Sequence, residues 1–97
     1  MDTLLTLNLN PQLEEDLVDY LLELDHISGF TSWPVRGHGR HGAMSLAEQV
    51  SGRRQRILVQ VLLNAEQVPA LLAGLAVQVG RDITWWQQPV SGSGRVE

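Results

Sequence analysis

The sequence predicts an α+β fold in which four antiparallel strands form one sheet and two helices cover one face of it, in the order β-α-β-β-α-β. Two patterns predict this order: short segments in which apolar residues alternate with polar ones, typical of half-buried strands, and longer segments with apolar residues at helical spacing. The chain has 97 residues, of which 43% are hydrophobic and 19% charged. This composition is typical of one small globular domain.

The first half of the chain contains a strand, a helix and a second strand. Residues 3–9 alternate leucine with threonine and asparagine, which predicts the first strand. Asn10 and Pro11 then provide an N-cap and a first-turn proline for a helix with an acidic exposed face. The apolar stripe of this helix consists of Leu13, Leu17, Leu21 and Leu24. Aromatic and β-branched residues predict a second strand over 30–35, where Pro34 indicates an edge position or a bulge.

The second half repeats this pattern after a long glycine-rich segment. Residues 56–63 predict a third strand, 64–67 resemble a capping box, and a second helix follows and ends at Gly80. Residues 83–88 predict the fourth strand. The predicted organisation is one ferredoxin-like domain over residues 1–90, with a long loop at about 37–52 and a flexible tail over 91–97.

Two helices cover only one face of such a sheet, so the other face needs a partner or a function. Trp33, Trp85 and Trp86 all fall on predicted strands, and adjacent strand residues such as 85 and 86 point to opposite faces. A core built from 97 residues is thin. We therefore expect the chain to cover its second face by self-association.

Charge and composition exclude several classes of function. The formal net charge of −4 argues against binding nucleic acid or an anionic membrane surface. No apolar segment has the length needed to span a bilayer and the N-terminus lacks a signal-peptide pattern, which predicts a cytoplasmic protein without membrane insertion. The absence of cysteine excludes disulfides and thiolate metal sites.

The cationic residues are concentrated in the middle of the chain. Between residues 36 and 56 there are five arginines and one acid, a local charge of +4 that leaves −8 for the remainder. Arg53, Arg54 and Arg56 lie around the start of the third strand. They could form an anion site, but we expect them to pair with the acidic helix of a neighbouring subunit.

Two histidines in the glycine-rich segment predict a metal site. His38 and His41 have the spacing His-x-x-His, which allows both imidazoles to bind one Zn²⁺, Cu²⁺, Ni²⁺ or Co²⁺ ion. Glu48 is the predicted third ligand. Arg36 and Arg40 lie beside the pair and would repel a cation, so the spacing alone does not decide the ligand.

The same segment supports two alternatives. The backbone N–H groups of Gly37 and Gly39 could bind a phosphate whose charge Arg40, together with Arg36, would neutralise. An enzyme using His38 or His41 as a general base is the second alternative, but the sequence contains no evident third residue that would orient either imidazole.

Residues 35–42, with the sequence VRGHGRHG, resemble the V-x-G-x-G-R-Q run of PII signalling proteins, at the point where the second strand leads into a long loop. Val35, Gly37, Gly39 and Arg40 match this run, and His41 replaces its glutamine. With the topology, the resemblance covers about residues 3–90 and identifies the chain as a member of the PII-like superfamily (PII/CutA type). Segments 29–35, 37–39 and 45–52 are most similar to an uncharacterised family of short bacterial PII-like proteins often encoded beside heavy-metal efflux systems.

The resemblance implies a non-enzymatic regulatory protein that forms a homotrimer, with ligand clefts between subunits and loops that dock on a partner. That partner would be a metal-efflux membrane complex or its regulator. PII proteins bind ATP or ADP with a Gly-Asp-Gly-Lys turn before strand four, where this chain has Gly80, Arg81, Asp82 and Ile83. The second glycine and the lysine are missing, so the resemblance favours a transition metal over ATP, ADP or AMP.

Overall fold

The computed structural model describes residues 1–38 and 54–97, which form one four-stranded sheet and two helices. The elements are β1 (Asp2–Leu9), α1 (Glu14–Leu22), β2 (Phe30–Gly37), β3 (Arg54–Asn64), α2 (Val68–Gln78) and β4 (Thr84–Pro89). The sheet order is β2-β3-β1-β4 and every neighbouring pair is antiparallel. The predicted ferredoxin-like α+β fold is confirmed. Residues 39–53, which include most of the predicted loop, lie outside the described part.

Each helix starts in the same way, after an asparagine that ends or follows a strand. The Asn10 Oδ1 atom accepts the backbone N–H of Gln12 at 2.9 Å, and Asn64 Oδ1 accepts that of Glu66 at 2.9 Å. A three-residue 3-10 turn follows each asparagine, so both α-helices begin later than the caps alone predict. The predicted caps are confirmed at both positions, which indicates that the two β-α-β halves share one local design.

The core lies between the helices and one face of the sheet, which we call the covered face. Its central residues on β1 and β3 are aliphatic, and most are fully buried: Leu5, Leu7, Leu9, Ile57, Val59, Val61 and Leu63. The helices contribute Leu17, Leu21, Leu71 and Leu75. Along each strand, the core residues alternate with the residues of the opposite face, as the period of two requires.

Tyr20 fixes the contact between the two helices. Its hydroxyl donates a buried hydrogen bond to the carbonyl oxygen of Leu71 at 2.8 Å. Burial raises the pKa of Tyr20, so the hydroxyl keeps the proton that it donates. The tyrosine ring reaches this carbonyl because Gly74 has no side chain, and a Cβ atom at position 74 would clash with the hydroxyl. The glycine that weakens α2 locally is therefore required by the packing.

The other face of the sheet, which we call the open face, has no element packed on it in the described part. Thr6 at its centre is 1% exposed and accepts a 3.3 Å hydrogen bond from Gln60 Nε2. Around it, Trp33, Leu62 and Trp86 remain 36–42% exposed. By strand register the open face consists of Leu4, Thr6, Asn8, Thr31, Trp33, Val35, Arg56, Leu58, Gln60, Leu62, Thr84, Trp86 and Gln88.

Trp85 lies on the opposite side of β4 from Trp86, as predicted, because Trp85 pairs with Leu7 and Trp86 with Thr6. Neither indole is buried in the single chain. In the described residues, neither helix has the length and apolarity needed to cross a membrane.

Candidate functional site

A cleft of about 760 Å³ opens at the end of the sheet where β2 ends and β3 begins. Its lining combines an apolar wall with cationic and polar side chains: Pro11, Pro34, Val35, Arg36, His38, Gln55, Arg56 and Ile57. The lining comes from β2, from β3 and from the turn that precedes α1. This end of the sheet therefore brings together residues that are far apart in sequence.

The position of β2 at the sheet edge explains why the cleft forms here. Pro34 has no N–H to donate, and β2 is an edge strand, as the proline predicts. The last ladder pairs are Val35 with Arg56 and Gly37 with Arg54. After Gly37 the described chain leaves the sheet, and Val35, Arg36 and His38 border the cleft.

Three of the predicted site residues lie in the described part. Arg36 and His38 both line the cleft, and Gly37 ends β2 between them. The other predicted residues, Gly39, Arg40, His41 and Glu48, lie outside the described residues. Within 1–38 and 54–97, no three side chains of the metal-binding types come together. The structure thus brings one predicted metal ligand, His38, together with one predicted anion-binding residue, Arg36.

Arg56 belongs to the arginine cluster at residues 53–56, for which an anion site is the alternative to pairing with a neighbouring subunit, and the structure places Arg56 in the lining of the cleft. The pairing with a neighbouring subunit stays a prediction. The Arg56 side chain is 7% exposed. The Nε atom donates to Asn8 Oδ1 at 2.7 Å, and Nη2 donates to the carbonyl oxygens of Asn8 at 3.1 Å and Asp82 at 3.2 Å. The alternation of β3 could have indicated this position, since residue 56 shares a face with Leu58 and Gln60.

The cleft is electropositive as described. Arg36 and Arg56 contribute two permanent positive charges, and no carboxylate belongs to its described lining. His38 is exposed and adds an imidazole that can act as a ligand or take up a proton. The described lining therefore suits an anion through its arginines and a transition metal through its imidazole.

The sheet order and the helices on one face together define a protein of the ferredoxin-like fold class. The structure is similar to that of the periplasmic divalent cation tolerance protein CutA from Archaeoglobus fulgidus, with a TM-score of 0.73 and 10% sequence identity, covering 98% of this chain and 89% of that one. At this identity the similarity shows the fold.

The family follows from a match along the whole sequence. Residues 1–97 match the family described as "Protein of unknown function (DUF3240)", and the chain belongs to this family. The crystal structure of a DUF3240 family protein from Shewanella baltica OS155 is 27% identical, with a TM-score of 0.82, covering 99% of this chain and 97% of that one. No curated protein matches the sequence. The predicted resemblance is confirmed for the family of short uncharacterised proteins by the DUF3240 match, and for the fold by the similarity to CutA.

Proposed function

We propose that this protein is a non-enzymatic regulatory protein of the PII-like class that binds a small ligand in the cleft at the end of β2. The observation that carries the proposal is the cleft itself, in which Arg36, His38 and Arg56 meet an apolar wall. Ligand sites are typically concave and largely apolar, with a few polar groups that fix the ligand. The cleft has this composition, and it lies where the predicted ligand-binding segment begins.

The proposed ligand is a divalent transition metal ion, Zn²⁺, Cu²⁺, Ni²⁺ or Co²⁺. His38 supplies the first imidazole from the mouth of the cleft, and His41 and Glu48 are the predicted further ligands. The name of the similar CutA protein, which refers to divalent cation tolerance, supports this choice. The proposed role is control of heavy-metal efflux, through contact of the ligand-bound protein with a cytoplasmic part of an efflux complex or with its regulator.

Titration calorimetry of the tag-free protein with each of the four metals tests this proposal. Wild-type protein is expected to bind at least one metal with micromolar or tighter affinity, and His38→Ala/His41→Ala is expected to lose that binding. His26→Ala is the matched control, because His26 is an exposed histidine in the turn after α1 and does not line the cleft. Unchanged affinity in the double variant would overturn the metal assignment.

A nucleotide is the second candidate, and the positive charge of the cleft favours it. Arginine binds phosphate oxygens through two parallel N–H donors, and Arg36 presents such a group at the cleft. Calorimetry with ATP, ADP and AMP separates the candidates. Binding that is lost in Arg36→Ala but kept in His38→Ala/His41→Ala would establish the nucleotide, and no heat up to millimolar nucleotide would exclude it.

We propose a homotrimer as the functional form, because the open face resembles an interface more than a solvated surface. Leu4 and Leu62 are paired across β1 and β3, and Trp33 and Leu58 across β2 and β3. Aromatic residues in such half-exposed positions are enriched in protein interfaces. A second and third copy of this chain would cover these residues and bring neighbouring clefts close to the subunit boundaries.

The proposal takes the protein to be non-enzymatic. It is supported by His38, because a general base is usually oriented by a partner and no hydrogen bond to the His38 side chain is present within the described residues. A structure of the ligand-bound protein with a carboxylate on His38 and a substrate beside it would contradict the regulatory assignment.

A further inference from the structure

The turn between α2 and β4 has a conformation that costs free energy and must be held in place. Asp82 has φ of 64°, and it is the one residue other than glycine with positive φ in the described chain. Residues with a Cβ atom rarely adopt this left-handed conformation, and they keep it only when surrounding contacts enforce it. Gly80, with φ of 152°, makes the preceding bend. The residues that contact Asp82 therefore determine whether this turn keeps its conformation.

Arg56 supplies those contacts. It lies on β3, and β1 separates β3 from β4, which the turn precedes. Its Nη2 atom donates to the backbone carbonyl oxygen of Asp82 at 3.2 Å, while Asn8 anchors the same guanidinium at two points. The carboxylate of Asp82 is 3.7 Å from Nη1 and 70% exposed, so this ion pair is weak. The carbonyl bond is therefore the stronger of the two contacts that Arg56 makes with Asp82.

Arg56 also belongs to the lining of the candidate cleft, together with Arg36 and His38. On the other side of the turn, Asp82 borders a second cleft of about 270 Å³, whose lining includes Ile83 and the exposed Trp85 of β4. Arg56 thus lies at the cleft and holds the turn through its guanidinium.

We propose that Arg56 is a positioning residue that locks the turn over residues 80–83 in its left-handed conformation and couples that turn to the candidate cleft. A ligand that shifts Arg56 in the cleft pulls on the carbonyl of Asp82, and the strained turn relaxes and moves the start of β4. The lock on the turn stands independently of any ligand, whereas the coupling rests on the proposed function of the cleft.

Backbone ¹⁵N relaxation measured by NMR on Arg56→Gln tests the lock. Glutamine keeps a polar side chain but loses the three-way donation of the guanidinium. The order parameters of Arg81, Asp82 and Ile83 are expected to fall from about 0.85 to below about 0.6, while those of α1 stay unchanged. Arg56→Lys, a milder variant that keeps the charge, is expected to give an intermediate loosening. Rigid turns in both variants, or equal loosening of α1, would overturn the lock.

Substitutions of Asp82 separate the backbone contact from the carboxylate. Asp82→Asn removes the charge but tolerates the left-handed conformation, so the turn is expected to stay ordered. Asp82→Gly removes the conformational cost, and Arg56→Gln is expected to loosen the turn less in this background than in the wild type. Loosening by Asp82→Asn as large as that by Arg56→Gln would show that the carboxylate holds the turn, which contradicts the proposal.

The coupling is tested by titrating ZnCl₂, and separately ATP, into ¹⁵N-labelled wild type and Asp82→Gly, a substitution outside the lining of the cleft. In the wild type, the resonances of His38 and of residues 81–83 are expected to shift together. In Asp82→Gly, the His38 resonance is expected to shift as in the wild type, while residues 81 and 83 shift less, because the turn holds no strain to release. Binding that leaves residues 81–83 of the wild type unchanged would overturn the coupling. Failure of both probes to bind the wild type would refute the proposed function of the cleft, and the relaxation result would still decide the lock.

Discussion

The two faces of the sheet use alternate residues of the same strands and have opposite character. On the covered face, Leu5, Leu7 and Val59 are fully buried and belong to a core of aliphatic side chains and one tyrosine. On the open face, Thr6 is buried at the centre, but Trp86 and Leu62 around it are 42% and 38% exposed. The described residues therefore complete the first face and leave the second uncovered. From this difference we expect folding to depend on the covered face and the proposed self-association on the open face.

The largest expected effect is that of truncating the covered face. Leu7→Ala is expected to lower the free energy of unfolding by about 2–5 kcal/mol, because it leaves a cavity where the side chain was fully buried. Leu62→Ala is the matched variant on the open face, and at low protein concentration it is expected to cost less than about 1 kcal/mol. Urea denaturation measures both values. Equal losses of stability in the two variants would contradict the claim that folding depends on the covered face more than on the open face.

A smaller effect is expected from adding a methyl group between the two helices that pack on the covered face. Gly74→Ala is expected to destabilise the protein by about 1–3 kcal/mol through the clash with the Tyr20 hydroxyl. This loss exceeds the gain of about 1 kcal/mol that alanine brings to a helix. Thermal unfolding of Gly74→Ala in the wild type and in a Tyr20→Phe background provides the test. Phenylalanine removes the clashing oxygen, so a penalty that is just as large in that background would refute this packing.

A still smaller effect is expected at the two helix starts, which belong to neither face. Asn10→Ala and Asn64→Ala each remove one bond from a side-chain oxygen to a backbone N–H, and each is expected to cost about 1 kcal/mol. Their effects are expected to add within about 0.5 kcal/mol, because the two caps share no partner. Urea denaturation of the single and double variants checks this. Strongly unequal losses would show that the two halves do not share one design.

The least disruptive change for the folded monomer is a charge on the open face. Trp86→Asp is expected to change the stability of the isolated chain by about 0.5 kcal/mol or less, because the indole is already half-exposed. The same substitution is expected to prevent self-association, since it would bury an unpaired carboxylate in the interface. Size-exclusion chromatography with light scattering separates the two effects. A folded variant that still associates would move the interface away from the open face.

The covered face and the order of strands and helices along the chain could be predicted from sequence because they depend on the periodicity of single segments. The alternation around Leu5 and Leu7 and the helical stripe around Leu17 each report one local pattern. The role of Arg56 could not be predicted in this way. Its partners, Asn8 and Asp82, are 48 and 26 residues away in sequence, and a left-handed aspartate leaves no periodic signal. Within the candidate site, the sequence-based prediction included Arg36 and His38 but did not include the buried Arg56.

Sedimentation equilibrium of the purified, tag-free protein tests most directly whether the open face completes itself with copies of the same chain. The homotrimer predicts a mass of three times the 10.8 kDa chain for the wild type and a single chain mass for Trp86→Asp. A wild-type protein that sediments at 10.8 kDa at micromolar concentration would contradict the proposed assembly, and with it the placement of ligand clefts at subunit boundaries.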